Sequence, residues 1–159
     1  MNYNEDEIHE GVEKILTITS INSSDLGQLG ILYEELTGTK TNMVLMESLY
    51  RKIADDTNYI LIGVKDKEQV LVGSVMGIIC TDLVGECLPF MVLENLIVKE
   101  TSRRQGMGLQ LVNYLEHCAR ERNCYYIMLV SLAKRKKAHA FYESMGYKRG
   151  VVQGFKKYM

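Results

Sequence analysis

The sequence is more informative at first for what it lacks. It has no C-x-x-C pair among its four cysteines (Cys80, Cys87, Cys118, Cys124), and no histidine stands beside them at metal-ligand spacing. Reduced thiols in a cytosolic protein are the expectation, with no metal. No apolar run is long enough to span a bilayer. The first residues are acidic and polar, the reverse of the basic start of a signal peptide, so the expected location is the cytoplasm, away from membranes. A net charge of −1 and a pI near 6.3 lack the basic excess of a nucleic-acid binder. Repeats, low-complexity tracts and linkers are also missing, so the 159 residues read as one domain, 1–159, with an acidic lead-in over 1–13. The single proline, Pro89, precedes an apolar run, where a missing N–H does least harm.

What is present is 47% apolar residues, ample for a core, and an uneven charge. Residues 1–13 carry five acids and no lysine or arginine, whereas residues 99–137 carry nine bases against three acids. A local basic patch on a near-neutral chain suits a small polyanion better than a polymer.

Periodicity predicts a strand over 14–21, then N-cap chemistry at Asn22-Ser23-Ser24-Asp25. A helix follows from Leu26 with Leu29, Leu32 and Leu36 on one face, punctuated by Gly38. A second helix is expected over 42–54. A hairpin over 59–65 and 70–80 turns at Asp66-Lys67-Glu68-Gln69. Residues 90–98 form a strongly apolar strand broken only by Glu94 and Asn95. Helix 106–122, strand 124–131, helix 138–145 closed by Gly146, and a last strand over 147–158 complete the order β-α-α-β-β-β-α-β-α-β. The fold class is mixed α/β (α+β), with helices packed on a central sheet.

The junction Leu96-Ile97-Val98 leads after four residues into Arg103-Arg104-Gln105-Gly106-Met107-Gly108 at the start of a helix. A helix N-terminus leaves N–H groups unpaired and carries partial positive charge, and glycines let backbone approach a ligand. Two arginines strengthen such an anion cradle. The third glycine of a dinucleotide fingerprint is missing, and no Gly-Lys-Ser/Thr of a P-loop follows. On these residues alone the loop is either an anion site or an ordinary tight turn.

The string R-x-x-G-x-G after an apolar strand resembles the acyl-CoA-binding motif of the GNAT superfamily of acyl-CoA-dependent N-acetyltransferases. Glu94 falls on the preceding strand, where many members carry an acid. The run from Lys137 through Ala138, Phe141, Tyr142 and Gly146 to Tyr147 resembles the family's closing A-x-x-F-Y-x-x-x-G-F/Y signature. The resemblance implies a twisted, mostly antiparallel mixed sheet of about six to seven strands with about four helices. It implies acetyl-CoA as acyl donor, with the pyrophosphate on backbone N–H groups of Arg103, Arg104, Gln105, Gly106, Met107 and Gly108. It also implies that the pantetheine arm pairs with Leu96, Ile97 and Val98. Tyr142 would donate a proton to the departing thiolate, and Glu94 would serve as base, with a strand carboxylate that faces solvent or pairs with a lysine as the alternative. Core packing beside Phe141 is the alternative for Tyr142. Lys134-Arg135-Lys136-Lys137 sit where the dipole disfavours cations; either CoA phosphate answers them, with Lys137 as a contact, or they form a solvated loop. Many relatives carry Asn near Lys137, so the chain departs from the commoner pattern there.

The acceptor implied is a small primary amine, attacking the acetyl carbon directly. A protein N-terminus or lysine, or a non-catalytic CoA-binding regulatory module, stand as alternatives. A homodimer is a family-level expectation. The acceptor pocket is expected from the two N-terminal helices and the loop around Gly85, with Met43, Met46, Tyr50 and Phe90 as apolar candidates.

Overall fold

The computed structural model describes residues 17–159; the lead-in over 1–13 and the predicted start of the first strand lie outside the described residues. Five strands form one sheet in the order β1-β2-β3-β4-β5. They are β1 (Thr17–Ser20), β2 (Tyr59–Lys65), β3 (Leu71–Cys80), β4 (Phe90–Val98) and β5 (Ile127–Met128). The first four are antiparallel neighbours and β5 runs parallel to β4. The helices are α1 (Leu26–Thr37), α2 (Met43–Ile53), α3 (Met107–Glu121) and α4 (Lys136–Ser144).

Local chemistry sets the ends of α1 and α2. Asn22 and Asp25 form a capping box around the 3-10 turn that leads into α1, and Gly38 closes that helix at φ 74° with its N–H on Glu34 O. Asn42 caps α2 by accepting the Leu45 N–H at 3.1 Å. Two apolar clusters then sandwich the sheet. On one side Met107, Leu111, Val112 and Leu115 of α3 pack on Ile62, Val64, Val75, Met91 and Leu93. On the other, Leu26, Leu29 and Leu32 of α1 pack on Ile21, Leu71 and Ile97. Full burial of each such side chain contributes about 1.5–3 kcal/mol.

β4 does not alternate strictly. The register with β3 slips between Ser74 and Met76, and Asn95 sits at φ 56°. Val75 therefore faces Asn95 and Leu96 together, a β-bulge. Asparagine tolerates this left-handed conformation better than a branched residue. The bulge switches the parity of the strand. Met91 and Leu93 face α3 before it, and Leu96 and Val98 pack on that same side after it.

The sheet is smaller than the sequence implies. Five strands stand among the described residues rather than six to seven, and residues 147–158 form no strand. Strand pattern alone is insufficient where no sheet edge takes up the N–H and C=O groups. Gly150 at φ 75° further breaks the extended run, and Val151, Val152, Phe155 and Tyr158 stand exposed. The predicted strand over 124–131 contracts to Ile127 and Met128. It pairs with β4 only at Met91 and Val92, before the bulge.

Asp25 ties these parts together. Its carboxylate is buried, accepts the Asn22 N–H at 3.0 Å and pairs with Lys65 Nζ at 2.7 Å. Removing one member of a buried pair leaves the other uncompensated. Asp25→Ala is expected to lower the unfolding free energy by about 3 kcal/mol in urea titration. A loss below about 1 kcal/mol would mean that the pair is screened like a surface one.

Candidate active site

Parallel pairing of β4 and β5 ends at Val92 and Met128. From Leu93 to Val98 one edge of β4 thus has no strand partner among the described residues. Leu96, Ile97 and Val98 lie along this edge, as expected from the sequence. Ile97 is buried against α1, and Leu96 and Val98 pack toward α3.

The loop from Arg103 to Gly108 follows the end of β4 and leads into α3. Gly106 takes φ 79° and precedes α3, and no side chain caps that helix. The Gln110 N–H is bonded to Gly106 O, so the N–H groups of Met107, Gly108 and Leu109 lie ahead of the intrahelical ladder. This differs from α1 and α2, whose approaches are closed by asparagine. The two glycines have different reasons. Gly106 supplies the positive φ, and a side chain there would meet no atom within 4 Å. At Gly108 a Cβ would come within 3.4 Å of the Phe141 ring, so this glycine lets α4 approach α3.

The arginines divide as well. Arg104, at φ 61°, stands exposed. Arg103 is held in the structure: its Nε donates to Val98 O at 2.9 Å and its Nη2 pairs with Glu35 Oε1 at 2.6 Å. Its own N–H bonds Glu100 O at 3.3 Å. Arg103 thus anchors the loop through Val98 O, Glu35 and Glu100 O. Glu35, which no motif marked, receives both Arg103 and the Glu100 N–H, the latter at 2.9 Å. Gln105 is exposed and Met107 buried.

Tyr142 lies on α4, half-buried, with its ring 5.3 Å from Phe141 and 5.8 Å from Tyr147. Burial raises its phenol pKa above the usual value, Arg135 opposes that rise, and the Glu94 carboxylate adds to it. The Glu94 carboxylate thus acts on the Tyr142 phenol. Glu94 pairs in register with Met76 and is half-buried, and none of the ion pairs among the described residues involves it. Tyr142 also packs, partly buried, against the α3 cluster, the arrangement that the core-packing alternative expects. Of the basic run, Lys137 sits exposed in the first turn of α4, which also has no side-chain cap. Arg135 is the cation that acts on Tyr142, a role the sequence did not single out. His139 Nε2 lies 3.1 Å from Leu132 O and holds the loop before α4.

Beyond the bulge, Tyr33, Met76 and Asn95 border a cavity of about 320 Å³ under α1 and α2. Met46 and Tyr50 line it, as expected, whereas Phe90 stacks on Tyr126 at 5.1 Å away from it. Burial pushes the Tyr33 phenol up to about 12, with Ser74 and Asn95 partly offsetting the rise. Ser74 Oγ is itself buried without a hydrogen bond of good geometry, so its influence on Tyr33 is one of proximity. The four cysteines are free. No described helix is long and apolar enough to cross a membrane.

Loss of the Glu35 carboxylate should loosen the Arg103 loop. Glu35→Ala is expected to speed amide exchange at Glu100 about fivefold, the equivalent of about 1 kcal/mol for a half-exposed pair plus one backbone bond. Unchanged exchange would show that the loop is held by other contacts.

A family model described as the acetyltransferase (GNAT) family matches residues 29–147. Among curated proteins none matches. A solved structure described as a transcriptional regulator from Bacillus halodurans C-125 is 26% identical, with TM-score 0.83 over 91% of this chain and 99% of that one. Glucosamine-6-phosphate N-acetyltransferase from Arabidopsis thaliana gives 0.79 at 18% identity, over 91% and 99%. Aminoglycoside 6'-N-acetyltransferase from Acinetobacter baumannii gives 0.74 at 21%, over the same shares. At these last two identities the likeness is one of fold. The match runs from within α1 to just past the end of α4, and the chain belongs to the GNAT family of acetyltransferases.

Proposed function

We propose that the protein moves an acetyl group from acetyl-CoA to the primary amine of a small molecule, by direct attack with both substrates bound. The observation that carries this reading is the open edge of β4 beside an uncapped α3 N-terminus, with Glu94 and Tyr142 near enough to perturb one another. The free N–H groups of Met107 and Gly108, the left-handed turn at Arg104 and Gly106, and the absence of a capping side chain fit a pyrophosphate. Gln105 borders the same turn. The exposed Lys137, on the next uncapped helix, is placed to meet outlying phosphate charge.

Bound acetyl-CoA supplies a thioester carbonyl and a thiolate leaving group. Backbone along Leu96, Ile97 and Val98 orients the extended arm as an added strand would, and an N–H on that edge polarises the carbonyl. Most alkyl amines are protonated at pH 7, so attack requires a base. Glu94 takes that proton, directly or through a water. As the nitrogen–carbon bond forms and the carbon–sulfur bond breaks, Tyr142 gives its proton to sulfur, and the second proton shed by the nitrogen returns through solvent to restore the phenol. Its raised pKa keeps it protonated at neutral pH, the state that a donor needs.

Tyr142→Phe is expected to lower kcat by about ten- to a hundredfold with little change in acetyl-CoA affinity. Glu94→Gln should lower kcat/KM at pH 7 and regain activity as pH rises toward the amine's own pKa, where the neutral nucleophile forms without help. Free-thiol release across a pH series reads both. Wild-type rates at pH 7 in either variant would contradict its assigned role.

A further inference from the structure

The cavity under α1 and α2 carries information about the acceptor. Its lining runs from Leu26 and Leu29 of α1 across Leu45, Met46, Leu49 and Ile53 of α2, and it ends at Met76 and Asn95. Met76 is the register partner of Glu94, and Asn95 follows Glu94 in the chain. Glu94 is not itself a lining residue, but its register partner and its chain neighbour are, so the cavity reaches the strand positions on either side of the proposed base. Among the described residues, no lysine, arginine, aspartate or glutamate lines it. The polar groups there are largely engaged: Tyr50 donates to Ile21 O at 2.9 Å, Thr41 to Gly30 O at 3.2 Å, and Asn42 caps α2.

The helix α2 shows the same thing from outside. It has an apolar stripe of Leu45, Met46, Leu49 and Ile53 but no buried residue, and Leu45 and Leu49 are 53% and 46% exposed. A helix that spends its apolar face on a groove instead of on a core leaves that face for a ligand. Placing several ammonium groups against this lining would strip them of water with no carboxylate in return. A single ammonium at the Glu94 end meets its partner, and the rest of the molecule needs only an apolar surface. At ~30 Å³ per water, a cavity of about 320 Å³ has room for roughly ten heavy atoms, one ring with a short chain.

We propose that the acceptor is a monoamine with an apolar body, of the arylalkyl or short alkyl type, and that polycationic amines are excluded by the uncharged groove. This rests on the acetyl-transfer reading for the reaction, but the groove's preference can be read by binding alone. Leu49 is the residue to change: it lines the groove, lies half-exposed on α2, and takes no part in the core, so Leu49→Asp should leave the fold intact.

The test measures thiol release with 2-phenylethylamine, spermidine and kanamycin, and calorimetric binding of acetyl-CoA and of each amine, for wild type and Leu49→Asp. The expected result is a kcat/KM for 2-phenylethylamine at least about tenfold above the other two, about 1.4 kcal/mol. Leu49→Asp should remove that advantage with acetyl-CoA affinity held within about twofold. Spermidine or kanamycin used as well as 2-phenylethylamine would overturn the proposal, and so would an unchanged preference in Leu49→Asp. If acetyl-CoA fails to bind, the acetyl-transfer reading falls. The groove is then judged by 2-phenylethylamine binding, which supports the proposal if Leu49→Asp abolishes it and overturns it if no binding is seen.

Discussion

The bulge at Asn95 is the constraint on which the site depends. An unbroken β4 would send Leu96 to the α1 side and Ile97 to the α3 side, and both clusters would lose a member. With one extra residue at φ 56°, Leu93 and Leu96 share the α3 core and Ile97 enters the α1 core. The same residue ends the strand's regular course just past the two positions where β5 pairs. Packing on both faces therefore fixes the open edge that a ligand needs. The apolar burial that holds this geometry amounts to several side chains at about 1.5–3 kcal/mol each. A left-handed asparagine costs about 1 kcal/mol, which that burial readily offsets.

Around the bulge the structure separates support from chemistry. Glu35 and Arg103 fasten the loop to α1 and to Val98 O, and Gly108 admits Phe141 so that α4 lies against α3. The parts left open are the N–H groups at the start of α3, the edge of β4, and the Tyr142 and Glu94 side chains. Arg135 and Glu94 act on Tyr142 in opposite directions, and burial dominates, so the phenol stays neutral at neutral pH.

Much of this was legible in the sequence, for reasons that differ by element. The capping asparagines and the leucine spacing of α1 and α2 are local signals, and the observed helices lie within a residue or two of expectation. The apolar run of β4 and the Gly106 turn are local as well. What was not legible depends on partners distant in the chain. Residues 147–158 have strand character but no edge to join, and β5 shortens because β4 turns away. The contact of Arg103 with Glu35, 68 positions earlier, is of the same kind, since no local motif announces it. The uncharged groove needed α1, α2, β2, β3 and β4 together, which no window of sequence shows.

Co-crystallisation with CoA tests the central claim, that the open β4 edge and the α3 N-terminus form one cofactor site. The account predicts pyrophosphate on the backbone N–H groups between Arg104 and Leu109, and the extended arm alongside Leu96 and Val98. Phosphates bound elsewhere, with the Gly106 turn and the β4 edge uncontacted, would contradict it.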